Sequence, residues 1–189
     1  MSITEAGGSE LVRRVGSDGK LYVVRPTIWT LQTVKDYWER FTEHEIFSDD
    51  FPPGYEGFEF MVLNGGGIWF DIIDVAARDV IGLLYFTEMV PSATDNRFVS
   101  ATWHGTVWDA KASTRLPIAR EAIKRVVERL QIHRLEVKIP LKFGGAIRVC
   151  KRIGFVEEGR MRSARRLNGE WWDVLLLSAL ETEVAQWDS

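Results

Sequence analysis

The stretch VWDAKASTRLPIAREAI, residues 107–123, changes from strand-like to helix-like patterning within a few residues. Its first residues continue a run of β-branched and aromatic side chains, which is typical of a strand. Ile118, Ala122 and Ile123 then begin an apolar stripe at helical spacing. The free backbone N–H groups at the start of such a helix can hold an anion. We therefore expect the chain to be organised around this junction and to bind its ligand there.

Upstream of this junction, the pattern predicts a tail, a strand, a helix and a three-stranded meander. Residues 1–19 carry four glycines among polar side chains, which is typical of a flexible tail. A long loop with room for a short helix separates the helix from the meander. The predicted ranges are Leu21–Arg25 for the first strand, Thr27 or Thr30 to about Thr42 for the helix, and Ile68–Val75, Asp79–Met89 and Arg97–Trp108 for the meander.

Downstream of the junction, helices and strands alternate. The predicted ranges are Leu116–Gln131 and Phe143–Ile153 for two helices, and Arg134–Ile139, Phe155–Arg160 and Trp171–Leu180 for three strands. This order predicts one domain over residues 20–183, with a C-terminal tail over 184–189. The fold class is α/β, or α+β by some schemes, with a mixed central sheet of six to seven strands flanked by about four helices.

The composition argues against several functional classes. A net charge of −3 over 189 residues argues against a nucleic-acid binder that is held by phosphate contacts. Cys150 is the single cysteine, so one chain cannot form a disulfide framework or a multi-cysteine metal site. No apolar run approaches the roughly 20 residues that span a bilayer. We expect a cytoplasmic protein without a metal site or a membrane segment.

The last third of the chain carries a specific pattern in the segment AIRVCKRIGFVEEGRMRSARRLNGEWWDVLLLSALETE, residues 146–183. This segment resembles the GNAT superfamily of acyl-CoA N-acyltransferases, especially the branch that acetylates the N-termini of ribosomal proteins. The resemblance covers about residues 21–183, and before Val80 it is only topological. The matching positions are Ala146, Lys151, Arg152, Gly154, Phe155, Glu158, Gly159, Arg162, Asn168, Gly169, Trp172 and Asp173.

The resemblance implies that acetyl-CoA is the co-substrate and that an amine acceptor attacks its thioester directly. The donor would lie in a V between the strands 97–108 and 134–139, and a backbone N–H would stabilise the oxyanion. Its pyrophosphate would lie at the start of the helix after the junction. The residues implied in donor binding are Val107, Trp108, Asp109, Lys111, Thr114, Arg115, Ala119 and Arg120.

The phosphate loop departs from the pattern of the family. Anchoring on the pair Glu121-Ala122 puts Thr114 where the family has Gln or Arg, and Pro117 where it has its first glycine. Proline adds a ring and has no N–H to donate, so we expect a weakened phosphate cradle. Another interpretation is that Pro117 is a favourable proline of the first helical turn.

Three side chains are the candidates for proton transfer, and each has a simpler interpretation. His104 and Glu88 are candidate general bases, although a hydrogen-bonded sheet histidine and a solvated carboxylate at a strand end are the simpler interpretations. Cys150 occupies the slot of the tyrosine that is the usual general acid of the family. It can instead be a small buried apolar residue.

Two functions from different classes follow from these features. The first is an N-acetyltransferase that acts on a primary amine of a small molecule or a protein. The second is a GNAT-fold binding or structural module without catalysis, in a larger assembly such as a virion. Relatives with a similar C-terminal hairpin often pair through their final strands, so a homodimer or another assembly partner is a further expectation.

Overall fold

Eight strands and five α-helices make up the described part of the chain, which comprises residues 10–43, 54–65, 67–108 and 112–187 of a computed structural model. The strands are β1 Val12–Val15, β2 Leu21–Pro26, β3 Ile68–Asp74, β4 Asp79–Pro91, β5 Phe98–Val107, β6 Ile132–Pro140, β7 Val156–Leu167 and β8 Glu170–Leu180. The helices are α1 Leu31–Glu43, α2 Gly54–Asn64, α3 Ala112–Leu130, α4 Gly144–Ile153 and α5 Glu181–Ala185. None of these helices is both long and apolar enough to cross a membrane.

The strands form one mixed sheet in the order β1-β2-β3-β4-β5-β6-β8-β7. Every neighbouring pair is antiparallel except β5 and β6, which run parallel. A parallel pair needs a crossover connection, and α3 supplies it. The mixed α/β architecture predicted from the sequence is therefore confirmed.

Both ends of the domain differ from the prediction. Strand β1 lies in the stretch predicted as a tail, and it brings the sheet to eight strands instead of six or seven. Its Val12 is 5% exposed and pairs with Val24 of β2. At the other end, Val184 of α5 is 1% exposed, so the predicted tail over 184–189 begins too early. Helix α2 lies in the loop that had room for a short helix, and α5 brings the count to five, one above the expected four.

Two apolar cores lie on opposite faces of the sheet. The larger core joins the sheet to α3, α4 and α5, and it includes Ala101 and Trp103 of β5. The smaller core joins the sheet to α1 and α2 and includes Trp69 and Leu83. Because side chains alternate across a strand, β5 contributes residues to both faces. We call these the α3 face and the α1 face.

The sheet splits between β5 and β6. The two strands pair at Phe98/Ile132, Ser100/Arg134, Ala101/Leu135 and Thr102/Glu136, and no further along. Beyond this point β5 continues to pair with β4 up to Val107, and β6 with β8 up to Pro140. The result is a V that is closed at Thr102 and Glu136 and open toward the ends of both strands.

Candidate active site

The β5 side of the V offers unused backbone groups. The N–H of Trp108 donates to the carbonyl of Ile81 at 2.9 Å, which makes these opposite residues a hydrogen-bonded pair of the β4–β5 ladder. Opposite residues of antiparallel strands alternate between bonded and unbonded pairs. The N–H and C=O groups of Gly105 and Val107 consequently point away from β4 and into the V. They can pair with an extended ligand as another strand would.

The open end of the V lies at the start of two helices, since α3 follows β5 and α4 follows β6. Helix α3 begins at Ala112, four residues before the predicted start at Leu116. The N–H groups of the first four helical residues have no partner within a helix. Residues 112–115 therefore present the free donors. The sequence predicted free donors at the start of this helix, but it placed that start at Leu116.

This earlier start changes the interpretation of Pro117. The proline is the sixth residue of α3 and lies inside the helix, so it is not a proline of the first turn. Its missing N–H falls outside the four free donors. The consequence of Pro117 is a lost helical hydrogen bond and a ring against the preceding turn.

Four of the residues predicted to bind the donor have side chains outside the described part of the chain. Asp109 and Lys111 are outside the described residues, and of Thr114 and Arg115 only the helical backbone is described. Trp108 packs in the smaller core, where its Nε1 donates to the carbonyl of Val80 at 3.2 Å.

The other two residues of that prediction serve packing and capping. Ala119 is 7% exposed and belongs to the larger core. The guanidinium of Arg120 donates from Nε to the carbonyl of Ile153 at 3.0 Å, and it also contacts the carbonyl of Arg152. These are terminal carbonyls of α4, which attract a cation. The contacts favour a structural role for Arg120.

The carboxylate of Glu88 lies over the closed end of the V. Glu88 has a φ of 48° at an irregularity in the β4–β5 ladder. Its Oε2 accepts hydrogen bonds from Oγ1 of Thr102 at 2.7 Å and from Nζ of Lys138 at 3.0 Å. These two donors lower the pKa of Glu88 below its usual value, so the group is ionised at neutral pH. Its side chain is 64% exposed and is open to an incoming amine or water.

His104 lies on the same face as this carboxylate. Its Nε2 is 2.8 Å from Oγ1 of Thr87, and its ring stacks on Tyr85 at a centroid distance of 4.4 Å. Tyr85 stacks in turn on Trp69 at 4.0 Å, so three parallel rings cross β3, β4 and β5. Burial lowers the pKa of His104 to about 4 against an opposing effect of Glu88. The imidazole is therefore neutral at physiological pH.

The third candidate for proton transfer lies in the larger core. Cys150 of α4 is 4% exposed, and burial raises the pKa of its thiol to about 12. This placement favours the interpretation of Cys150 as a small apolar residue. The structure thus brings together Glu88 and His104 on the α1 face, and Cys150 belongs to the core of the α3 face.

Thr102 and Lys138, which hold Glu88 by hydrogen bonds, are not among the residues predicted from the sequence. Lys138 lies 50 positions from Glu88, and only the order β4-β5-β6 brings the two together. Alternation along β6 does predict which face Lys138 occupies, but not its partner. Within the residues that the structure describes, no group of three or more His, Cys, Asp and Glu side chains is arranged to hold a metal ion.

Comparisons with known proteins bear on the fold of the chain. No protein-family model matches the chain. The probable N-acetyltransferase YjcK of Bacillus subtilis is 28% identical over 121 residues, and the match covers 62% of this chain and 64% of the length of that relative.

Solved structures extend the likeness over most of the fold. The spermidine N-acetyltransferase of Vibrio cholerae in complex with CoA and spermine matches with a TM-score of 0.64 at 19% identity, over 86% of this chain and 98% of that one. The ribosomal-protein-S5-alanine acetyltransferase of Vibrio fischeri gives 0.66 at 17% identity, over 89% and 96%. The chain has the GNAT fold, that of the acyl-CoA N-acyltransferases.

Proposed function

We propose that this chain is an N-acetyltransferase that transfers the acetyl group of acetyl-CoA to a primary amine of a small molecule or a protein. The observation that carries the proposal is the split between β5 and β6, with the carboxylate of Glu88 over its closed end. The relative and the structural neighbours are named as N-acetyltransferases, which supports the same reaction class here. The identity of the acceptor amine is not part of the proposal.

The donor would be bound along the V. Its pantetheine arm would pair with the backbone groups of Gly105 and Val107, as an added strand pairs with a sheet edge. Its pyrophosphate would lie at the open end, where the free N–H groups of residues 112–115 and the positive end of the α3 dipole favour an anion. This orientation puts the thioester near the closed end, beside Glu88.

The acceptor would approach from the α1 face. Its neutral nitrogen attacks the thioester carbonyl, the C–N bond forms, and backbone N–H groups in the V stabilise the oxyanion. Glu88 takes the proton that the nitrogen loses, directly or through one water. The intermediate then collapses, the C–S bond breaks, and the CoA thiolate leaves. His104 is a second proton acceptor on this face because its imidazole is neutral.

One observation favours the second function, a GNAT-fold module without catalysis. The carboxylate of Glu88 is paired with Lys138, and the pKa of His104 is lowered to about 4, so both candidate bases are weak. A general base works best with a pKa near the working pH. A module of this kind would keep the V but would not turn over an acyl donor.

A titration of acetyl-CoA into the full chain, followed by calorimetry and by melting temperature, separates the two functions. A ligand at about 100 times its Kd stabilises the folded state by roughly 2.7 kcal/mol, which is a clear shift. Saturable binding combined with release of free CoA thiol in the presence of primary amines would support the enzyme. Binding without turnover would support the module. Absence of binding at millimolar acetyl-CoA would overturn the first proposal.

The oligomeric state and the cellular location of the protein are the subjects of two further proposals. We propose that two copies pair through the C-terminal hairpin, where Trp171 is 65% and Met161 is 45% exposed. Light scattering of the purified chain tests this, and a monomeric mass at tens of micromolar would contradict it.

A cytoplasmic location is the second proposal, and imaging of a tagged chain in its own host tests it.

A further inference from the structure

The closed end of the V has a wall on the face opposite Glu88. Trp103 is the next residue of β5 after Thr102, the last residue that pairs with β6. Its side chain belongs to the core of the α3 face, whereas the hydroxyl of Thr102 is bonded to Glu88 on the α1 face. The indole of Trp103 therefore lies behind the point where the reaction is proposed to occur.

The indole spans the two halves of the split sheet. Along β5, its Cζ2 is 2.7 Å from the place where a Cβ on Gly105 would be, so no side chain fits there. On the other side, the ring stacks on Phe155 at a centroid distance of 5.4 Å and an interplanar angle of 13°. Phe155 lies in the short connection between α4 and β7, the elements that follow β6 along the chain. The ring thus closes the V from behind.

The polar atom of this ring has no partner. Nε1 of Trp103 is buried and makes no hydrogen bond with any described residue. Trp103 as a whole is 5% exposed. A buried donor without a partner costs free energy, which phenylalanine or leucine would avoid. Among the described residues, the position therefore uses the size of the indole and not its hydrogen-bonding capacity.

We propose that Trp103 sets the length of the acyl chain, so that the site accepts acetyl and rejects chains of four or more carbons. This inference rests on the proposed function, since it assumes an acyl-CoA in the V. The acyl carbon has Glu88 and the amine on the α1 face. A longer chain must extend toward the α3 face, where the indole of Trp103 fills the space between Gly105 and Phe155.

The test compares acetyl-CoA with butyryl-CoA in steady-state transfer to one primary amine. The variants are Trp103→Phe, Trp103→Leu and Trp103→Ala, with Phe70→Leu as the control, because Phe70 is a buried aromatic residue of the same core outside the V. Two methylene groups in a tight apolar pocket change kcat/KM by about tenfold or more. We expect the butyryl-to-acetyl ratio of kcat/KM to rise in the order Phe, Leu, Ala at position 103 and to stay unchanged in Phe70→Leu.

The outcomes separate this inference from the proposed function. If the wild-type chain uses acetyl-CoA and the ratio stays at its wild-type value in every folded Trp103 variant, the acyl-length role is wrong and the acetyltransferase stands. The same follows if the wild-type chain already uses butyryl-CoA as well as acetyl-CoA. If the wild-type chain binds no acyl-CoA, both are overturned. Trp103→Phe keeps an aromatic ring and so provides a measurement even if Trp103→Ala does not fold.

Discussion

Glu88 of β4 and Lys138 of β6 form an ion pair across β5, with Nζ and Oε2 3.0 Å apart. The two residues belong to opposite halves of the split sheet, so the pair bridges the V at its closed end. The hydroxyl of Thr102, between them on β5, is the other donor to the same oxygen. A carboxylate held by two donors is ionised and fixed in position, but it is a weaker base than a free one.

Replacing Lys138 by methionine tests this ion pair. The variant removes a hydrogen bond and a positive charge that lower the pKa of Glu88, so that pKa rises toward its ordinary value of 4.5. Because the base acts in its ionised form, the acid limb of the kcat/KM profile should move to higher pH. An acid limb at the wild-type position in Lys138→Met would show that the limb belongs to another group.

Glu88→Gln keeps the shape of the side chain and removes the base. We expect kcat to fall by about 100-fold or more, with an unchanged Kd for acetyl-CoA, since general base catalysis contributes a factor of this size. Glu170→Gln is the matched control because Glu170 lies exposed at the start of β8, next to the turn of the β7–β8 hairpin. A wild-type kcat in Glu88→Gln would remove Glu88 from the mechanism.

His104 should leave no trace in the pH profile near pH 6.5. Burial lowers its pKa to about 4, so the imidazole is neutral above that value and gains a proton only in more acidic solution. NMR titration of the ring protons should show a constant shift from pH 5.5 to pH 8, with the midpoint near 4. A midpoint for His104 near the ordinary value of 6.5 would contradict the desolvated, stacked environment of its ring.

The pair Arg134 and Glu158 predicts how stability depends on acid. Arg134 donates to Glu158 at 2.8 Å, Ser178 Oγ donates to the same carboxylate at 2.7 Å, and the pKa of Glu158 falls to about 2. A lowered folded-state pKa adds stability above the unfolded value of 4.5, and this stability is lost as the pH falls toward 2. Arg134→Met should flatten the loss of melting temperature between pH 4.5 and 2. An equally steep loss in the variant would assign the acid sensitivity to other groups.

Arg120 separates a capping role from a phosphate-binding role. Its guanidinium contacts the last carbonyls of α4, so Arg120→Met should lower the free energy of unfolding by about 1–2 kcal/mol. The Kd for acetyl-CoA should stay within about twofold, well below the tenfold change that 1.4 kcal/mol represents. Lys35→Met on the exposed side of α1 controls for the loss of one positive charge. A large rise in Kd without loss of stability would restore the sequence-based prediction.

The sequence was sufficient to predict those elements that a local pattern of apolar and polar side chains determines. The strands β2 to β8 and the change from strand to helix at 107–123 follow from side-chain periodicity, whereas Glu88 and His104 were chosen because of the resemblance to the GNAT superfamily. Strand β1 was not predicted because VRRV is short and contains only two apolar residues. The hydrogen-bond partners of Glu88 were not predicted because only the order of the strands in the sheet brings Lys138 and Thr102 next to it. The start of α3 was misplaced because Pro117 indicates a first turn by itself, whereas the helix continues through it.

The place of Pro117 inside α3 predicts that its replacement changes the stability of the fold but not the binding of acetyl-CoA. At the sixth helical position it removes a hydrogen bond to the carbonyl of Ser113 and crowds the preceding turn. Pro117→Ala should therefore raise the free energy of unfolding by about 1–2 kcal/mol, after allowance for the more flexible unfolded chain. The Kd for acetyl-CoA should not change, because the free donors lie at 112–115. Tighter binding in Pro117→Ala without a gain in stability would place the phosphate cradle at Pro117 itself, as the alignment on Glu121-Ala122 predicts.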